Sequence, residues 1–299
     1  VKFSGLTLLV ATLSWLPAPA FAASLSPETA KRELGHRLFY DADLSLDGSM
    51  SCATCHEQRH AFSDGNPTHP GVTDEQGIRN VPALANVGAF QSLTWIDQHL
   101  TSLEKQLFIP LSGPHPVEMG MTDMAELSRR LLGNPCYRAL FAIAFPDKSD
   151  VIDAEHVSQA IAAFERTLVS KIAVWDQRGH KETDDQQRGK ALFFGRAKCS
   201  SCHAPPLFMD QHFHVLSVSQ DGPIRTPSLR NVEVTAPYLH DGSAPTLVAA
   251  IQAHAGAGDL SKLEIESISD FLSLLTDHTF LSRQDFALPA EQCPVRIAP

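Results

Sequence analysis

From Val157 onward the apolar positions Val157, Ile161, Phe164 and Leu168 recur at helical spacing, and Ile268, Phe271, Leu272 and Leu275 do the same near the end of the chain. Each set predicts an amphipathic helix with one face in a core. No stretch alternates apolar and polar residues well enough for a strand, so the pattern predicts a mainly α fold. Asp123 followed by Glu126 reads as a capping box opening a helix through Leu131, and Gly133-Asn134-Pro135 stops it. Between the helices lie irregular stretches rich in Gly and Pro, at 62–82, 110–120 and 219–245. They are too long for plain connectors and suit the lining of a ligand site. The polar run from Arg178 to Arg188 predicts a linker, dividing the chain into a domain over 23–178 and another over 179–299, with the C-terminal tail packing back on the first.

Residues 1–22 stand apart from this pattern. Lys2, an apolar run from Leu6 to Leu16, and Ala20-Phe21-Ala22 read as a secretory signal peptide, interrupted by Pro17 and Pro19 and short of the ~20 residues of a spanning helix. Export to the periplasm is expected, with no membrane span in the mature chain. The 24 Lys+Arg against 34 Asp+Glu, a net charge of −10, argue against nucleic acid as a partner.

Four of the six cysteines form two like arrangements, Cys52-Ala53-Thr54-Cys55-His56 and Cys199-Ser200-Ser201-Cys202-His203. In C-x-x-C-H the thiols can form thioethers with haem vinyl groups while the next imidazole ligates the iron. Two C-x-x-C pairs can alternatively share a four-thiolate zinc site. The His after each pair, the export signal and the loop setting favour two haems c, with His56 and His203 as iron ligands. Cys136 and Cys293 remain, either bridged in an oxidising compartment or free and buried. Apart from the motif the halves align poorly, so a duplication is not evident.

The chain resembles the bacterial di-haem cytochrome c peroxidases and their MauG-like relatives over nearly all its length. The resemblance is carried by Leu34-Gly35-His36-Arg37-Leu38-Phe39-Tyr40-Asp41, Arg79-Asn80-Val81-Pro82-Ala83-Leu84, Pro116-Val117-Glu118-Met119-Gly120, Arg225-Thr226-Pro227-Ser228-Leu229-Arg230-Asn231 and Thr235-Ala236-Pro237-Tyr238-Leu239-His240-Asp241-Gly242. It implies two cytochrome c-like haem domains with long loops, an N-terminal haem that meets hydrogen peroxide and a C-terminal haem that relays the oxidising equivalent. It further implies Trp95 between the haems, Glu118 as the acid that moves the peroxide proton, and Gln106 and Pro110 in the same pocket. Arg79 and Arg225 are expected at the haems, and a calcium ion at Asn80 and the Thr235 and Pro237 carbonyls.

Departures from the family narrow the reading. Val72 stands where conventional peroxidases carry a histidine that caps the first iron; His69 is three residues away, and an open iron, as in MauG, is the simpler expectation. Fourteen residues after His240, where peroxidases have methionine and MauG tyrosine, stands His254, which predicts a bis-His second iron of low potential. His212 and His214 are alternatives that can instead line a haem edge. Ala197 replaces the tryptophan through which MauG passes holes to its protein substrate, leaving Trp95 and Trp175 as the tryptophans after the signal peptide. The leading expectation is a MauG-like oxidase, in which peroxide forms a high-valent di-haem state that oxidises aromatic residues of a partner protein; methanobactin-associated MbnH relatives, thought to make kynurenine, are a narrower version. The alternative is a cytochrome c peroxidase that reduces hydrogen peroxide with electrons from a small redox protein.

Overall fold

The computed structural model describes residues 25–148, 152–215, 222–254, 259–289 and 296–297. The expected signal peptide and Cys293 lie outside them. In chain order the helices are α1 (Pro27–Phe39), α2 (Cys52–Cys55), α3 (Leu103–Gln106), α4 (Phe108–Ser112), α5 (Met124–Gly133), α6 (Pro135–Ala144), α7 (Ala154–Glu165), α8 (Asp184–Phe194), α9 (Leu247–Ala253), α10 (Lys262–Ser273) and α11 (His278–Ser282). The mainly α expectation holds. One short antiparallel pair, β1 (Phe213–Val215) with β2 (Pro223–Arg225), escaped the pattern because three residues are too few to show an alternation.

Local chemistry sets the helix ends. Asp123 caps α5, accepting from Ala125 N and Glu126 N. Glu126 does not reach back as a capping box requires; its carboxylate instead binds Arg129 and Arg130 on the next turn. Asn134 ends α5 and caps α6, with Pro135 at the first helical position. The expected linker is half helix, because Thr183 and Gln186 form a capping box that starts α8 inside the polar run.

The buried apolar residues form two cores. One gathers α1, α3, α5, α6 and α7; the other gathers α8, α10 and their loops. Phe280 and Phe286 from the C-terminal segment belong to the first core, where both rings pack edge-on against Phe62. Tyr40 donates to the Phe286 carbonyl at 2.6 Å, tying this segment to α1.

The two halves repeat one another, contrary to the sequence expectation. Helix α1 crosses α7 with Gly35 against the Ala160 carbonyl, and α8 crosses α10 with Gly189 against the Ser267 carbonyl. Asn86 and Asn231 both adopt left-handed backbone, at φ 64° and 61°. Asn86 N donates to the Leu168 carbonyl just past α7, and Asn231 N to the Leu275 carbonyl just past α10. The equivalences Gly35/Gly189, Phe39/Phe193, Pro82/Pro227, Leu84/Leu229 and Asn86/Asn231 are spread across loops of unequal length, which hides them from alignment by eye.

A Cβ at Gly35 or Gly189 would lie 1.8 Å from the facing carbonyl oxygen. Gly35→Ala and Gly189→Ala are each expected to cost about 1–3 kcal/mol by forcing the crossing apart. The check is a lowered thermal midpoint for each variant, against an unchanged one for Gly133→Ala, where a Cβ meets nothing within 4 Å.

Candidate functional site

Each C-x-x-C-H motif sits on a short helical turn against its own core, Cys52 against the first and Cys199 against the second. The two thiol pairs therefore do not meet. Among the described residues the one metal-ligating group of three or more is Cys202, Asp210 and His214, within 4.8 Å of one another, so the four-thiolate zinc alternative is not assembled. All four motif cysteines are free thiols. Cys136 is in a disulfide, which decides against the free-thiol alternative for that residue.

The imidazoles are oriented alike. His56 Nδ1 lies 2.7 Å from the Phe62 carbonyl, and His203 Nδ1 lies 3.0 Å from the Phe208 carbonyl. With Nδ1–H donating, Nε2 of each ring carries the lone pair a metal takes. Phe62 and Phe208 hold φ at 63° and 53°, an uncommon backbone for a bulky residue, and both rings are fully buried. The same carbonyls also accept from Leu84 N and Leu229 N, both at 3.3 Å. Burial lowers the pKa of both histidines, that of His203 to about 4, so the rings are neutral and ready to ligate.

The loop carrying Glu118 is held on three sides. Val117 N donates to Glu75 Oε2 at 2.9 Å, Val72 N to the Glu118 carbonyl at 2.7 Å, and Met119 N to the Pro110 carbonyl at 2.9 Å. Gly71 fits against the Val117 carbonyl, where a Cβ would come within 1.7 Å. Burial pushes the Glu118 carboxyl up, partly offset by the charge of His69. The thiol of Cys55 is pushed up to about 12 by burial and then by the charges of Glu118 and Asp64. Glu118 therefore lies near the Cys55 thiol. Gln106 ends α3, four residues before Pro110. His69 bears on both His56 and Glu118, and its Nδ1 lies 2.7 Å from the Pro70 carbonyl, leaving Nε2 available. Val72, the aligned position, instead packs beside Gly120.

A cavity of about 320 Å³ opens beside the second motif and brings Cys199, Cys202, His203, Trp95, Arg225 and His254 together. His254 sits just past α9, its Nδ1 2.7 Å from the Ala250 carbonyl, which leaves Nε2 free as in the motif histidines. Its charge is among the influences that lower the His203 pKa. His214 lines the same cavity, held by Asp210 at 2.6 Å, whereas His212 is largely exposed. Arg225 is 2 % exposed; its Nε donates to the Thr94 carbonyl, and its Nη1 is buried with no hydrogen-bond partner among the described residues. Burial lowers its pKa to about 10, and the orphaned donor fits an anionic group such as a haem carboxylate. Arg79 donates to the Ile78 carbonyl and does not line this cavity.

Trp95 is buried between the halves. Its Nε1 donates to the Asn80 carbonyl at 2.7 Å, and its own carbonyl accepts from Arg225 N at 2.9 Å. Asn80 N donates to the His240 carbonyl, and Asn80 Nδ2 to the carbonyls of Asn66 and Pro67, leaving Oδ1 as its open acceptor. Asn80, Thr235 and Pro237 line one cavity wall and supply neutral oxygens of the kind calcium accepts, with no carboxylate among them.

Two free thiols and an oriented imidazole recur in each half, with an open cavity beside the second set, the arrangement of a pair of haem c attachment sites. The family described as di-haem cytochrome c peroxidase matches residues 29–184. The methylamine utilization protein MauG of Methylophilus methylotrophus is 32% identical over 88% of this chain and 90% of its own. The chain belongs to the di-haem cytochrome c peroxidase family. The cytochrome c551 peroxidase of Nitrosomonas europaea is 30% identical over 89% of this chain and 85% of its own. A solved MauG-like protein associated with microbial copper homeostasis superposes with a TM-score of 0.81 at 32% identity, covering 95% of this chain and 99% of the other. As a MauG-like family member the chain is a peroxide-dependent di-haem oxidoreductase, and the family implies two haems c. No helix among the described residues is long and apolar enough to cross a membrane.

Sequence reasoning missed Glu165 and Asp64. Asp64 is 1% exposed, and its Oδ2 has no hydrogen-bond partner among the described residues. Glu165 is the more legible of the two, for it falls four residues after Ile161 on the apolar face of α7.

Proposed function

We propose that this chain is a periplasmic MauG-like oxidase, in which hydrogen peroxide reacts at a haem held by Cys52, Cys55 and His56. Cys199, Cys202, His203 and His254 would hold a second haem, which would supply the redox centre through which an aromatic side chain of a partner protein is oxidised. The division into a peroxidatic domain over 23–178 and a relay domain over 179–299, and calcium at Asn80, Thr235 and Pro237, belong to the same reading. The observation that carries it is His254: an imidazole with Nε2 free shares the cavity with His203 at the position where peroxidases use methionine.

The bound haems supply redox-active iron. Glu118 takes the proton from the inner peroxide oxygen and returns it to the outer one, which leaves as water. Gln106 and Pro110 shape that pocket. Trp95 bridges the halves, Arg225 binds a haem carboxylate, and Arg79 remains a candidate contact at the first haem. Oxidation of a partner tryptophan to kynurenine is the narrower form of this proposal.

His69 favours a second reading, a conventional peroxidase fed by a small redox protein, in which His69 caps the first iron until reduction frees it. Electron paramagnetic resonance separates the two. The first reading expects one high-spin and one bis-His low-spin ferric signal, both lost on adding stoichiometric peroxide without prior reduction. Reaction of the half-reduced sample alone would assign the protein to the second.

A further inference from the structure

Glu165 is 8% exposed, at the C-terminal end of α7, and its carboxyl has no hydrogen bond or ion pair among the described residues. A buried carboxylate left without partners is costly enough that the acid normally holds its proton instead. Evidence of where it points comes from its neighbours and from the internal repeat. After burial, the charge of Glu165 is the largest influence raising the Cys52 thiol, ahead of Glu118.

The close crossings equate Ala160 with Ser267, so Ile161 corresponds to Ile268 and Glu165 to Leu272. Ile268 and Leu272 both line the cavity of the second motif. Glu165 thus occupies, in the first half, a position that lines the haem cavity of the second half with leucine. One repeat keeps a hydrocarbon there; the other keeps an acid.

We propose that Glu165 is a proton-carrying group beside the first haem attachment site, taking up one proton from solvent when a haem bound there gains one electron from a one-electron donor and releasing it when the electron leaves. Burial raises the carboxyl to about 8, against a smaller lowering by Arg166 and a raising by Glu104. Those two charges pair with each other at 2.7 Å, on the side of Glu165 toward α3. From α2 the neighbour is Cys52, a thioether once haem is attached. From α1, His36 stacks on Phe164 and the Arg37–Glu33 pair is internally neutralised. No fixed cation therefore holds Glu165 ionised.

The sign follows from charge. An added electron makes a nearby carboxylate bind its proton more tightly, so uptake accompanies reduction and the first-haem potential falls as pH rises past the carboxyl's pKa in the oxidised protein. An acid at this place keeps net charge nearly constant while electrons come and go, a task the leucine-lined second half does not share.

The inference rests on haem attachment at Cys52, Cys55 and His56 and is independent of what the protein oxidises. It is tested on the haem-loaded protein by potentiometry across pH and by infrared redox difference spectra, with Glu165→Gln and Glu165→Leu as variants. The leucine is chosen because the second half already packs one at the equivalent position. The expected result is a first-haem potential that declines with pH in the native protein and is flat in both variants, together with a protonated-carboxyl band that both variants lose. A native potential independent of pH, or a slope and band that persist in a fully haem-loaded variant, overturns it. Neither readout uses a partner protein, so failure here leaves the proposed oxidase intact, and failure of that reading leaves this one standing.

Discussion

Replacing Glu118 with glutamine is expected to slow the reaction of the protein with hydrogen peroxide by about 10²–10⁴-fold, the usual worth of a positioned acid–base group. Haem content should be unchanged. The substitution keeps the shape of the side chain, and the loop's main chain is fixed by bonds to Val72 N, the Glu75 carboxylate and the Pro110 carbonyl that glutamine leaves alone. What is lost is the ability to accept a proton. Stopped-flow mixing with peroxide, scored by the Soret change, measures the effect; a variant reacting at the native rate would remove Glu118 from the mechanism.

The same residue fixes a pH dependence. Burial raises the Glu118 carboxyl, and the charge of His69 opposes that only in part. Its basic form is therefore scarce at low pH and accumulates over a range displaced above that of an exposed glutamate. The peroxide rate should rise through that range in the native protein and lose this acid limb in Glu118→Gln.

What the sequence could and could not say divides along the range of the interactions involved. The haem attachment residues were legible because thioether chemistry demands a fixed local spacing, and α7 and α10 were legible because one buried face imposes a 3.6-residue period. The carbonyls that orient His56 and His203 were not, since they come from two phenylalanines whose positive φ has no sequence signature of its own. The repeat escaped for a related reason: its anchors are single residues such as Gly35, Asn86 and their equivalents, separated by loops that differ in length. Glu165 carried a signal, an acid on an apolar helix face, that only the repeat with Leu272 converts into a direction.

The largest spectroscopic effect is expected at His254. His254→Gly should turn the second haem from six-coordinate low-spin to high-spin, abolishing the low-spin ferric signal, and added imidazole should restore it by entering the vacated space. His254 shares a cavity with His203, its Nδ1 is committed to the Ala250 carbonyl, and the short α9, capped by Thr246, carries it to the cavity rim. The other candidates are less suited: His214 is bound at Nε2 to Asp210, and His240 is a buried residue whose carbonyl holds Asn80. His254→Met tests the consequence for function. Thioether ligation favours ferrous iron and should raise the second-haem potential, moving the site toward accepting electrons from a donor and away from holding an oxidising equivalent for a partner. A low-spin signal that survives His254→Gly unchanged would assign the ligand elsewhere and remove the feature on which the oxidase reading stands.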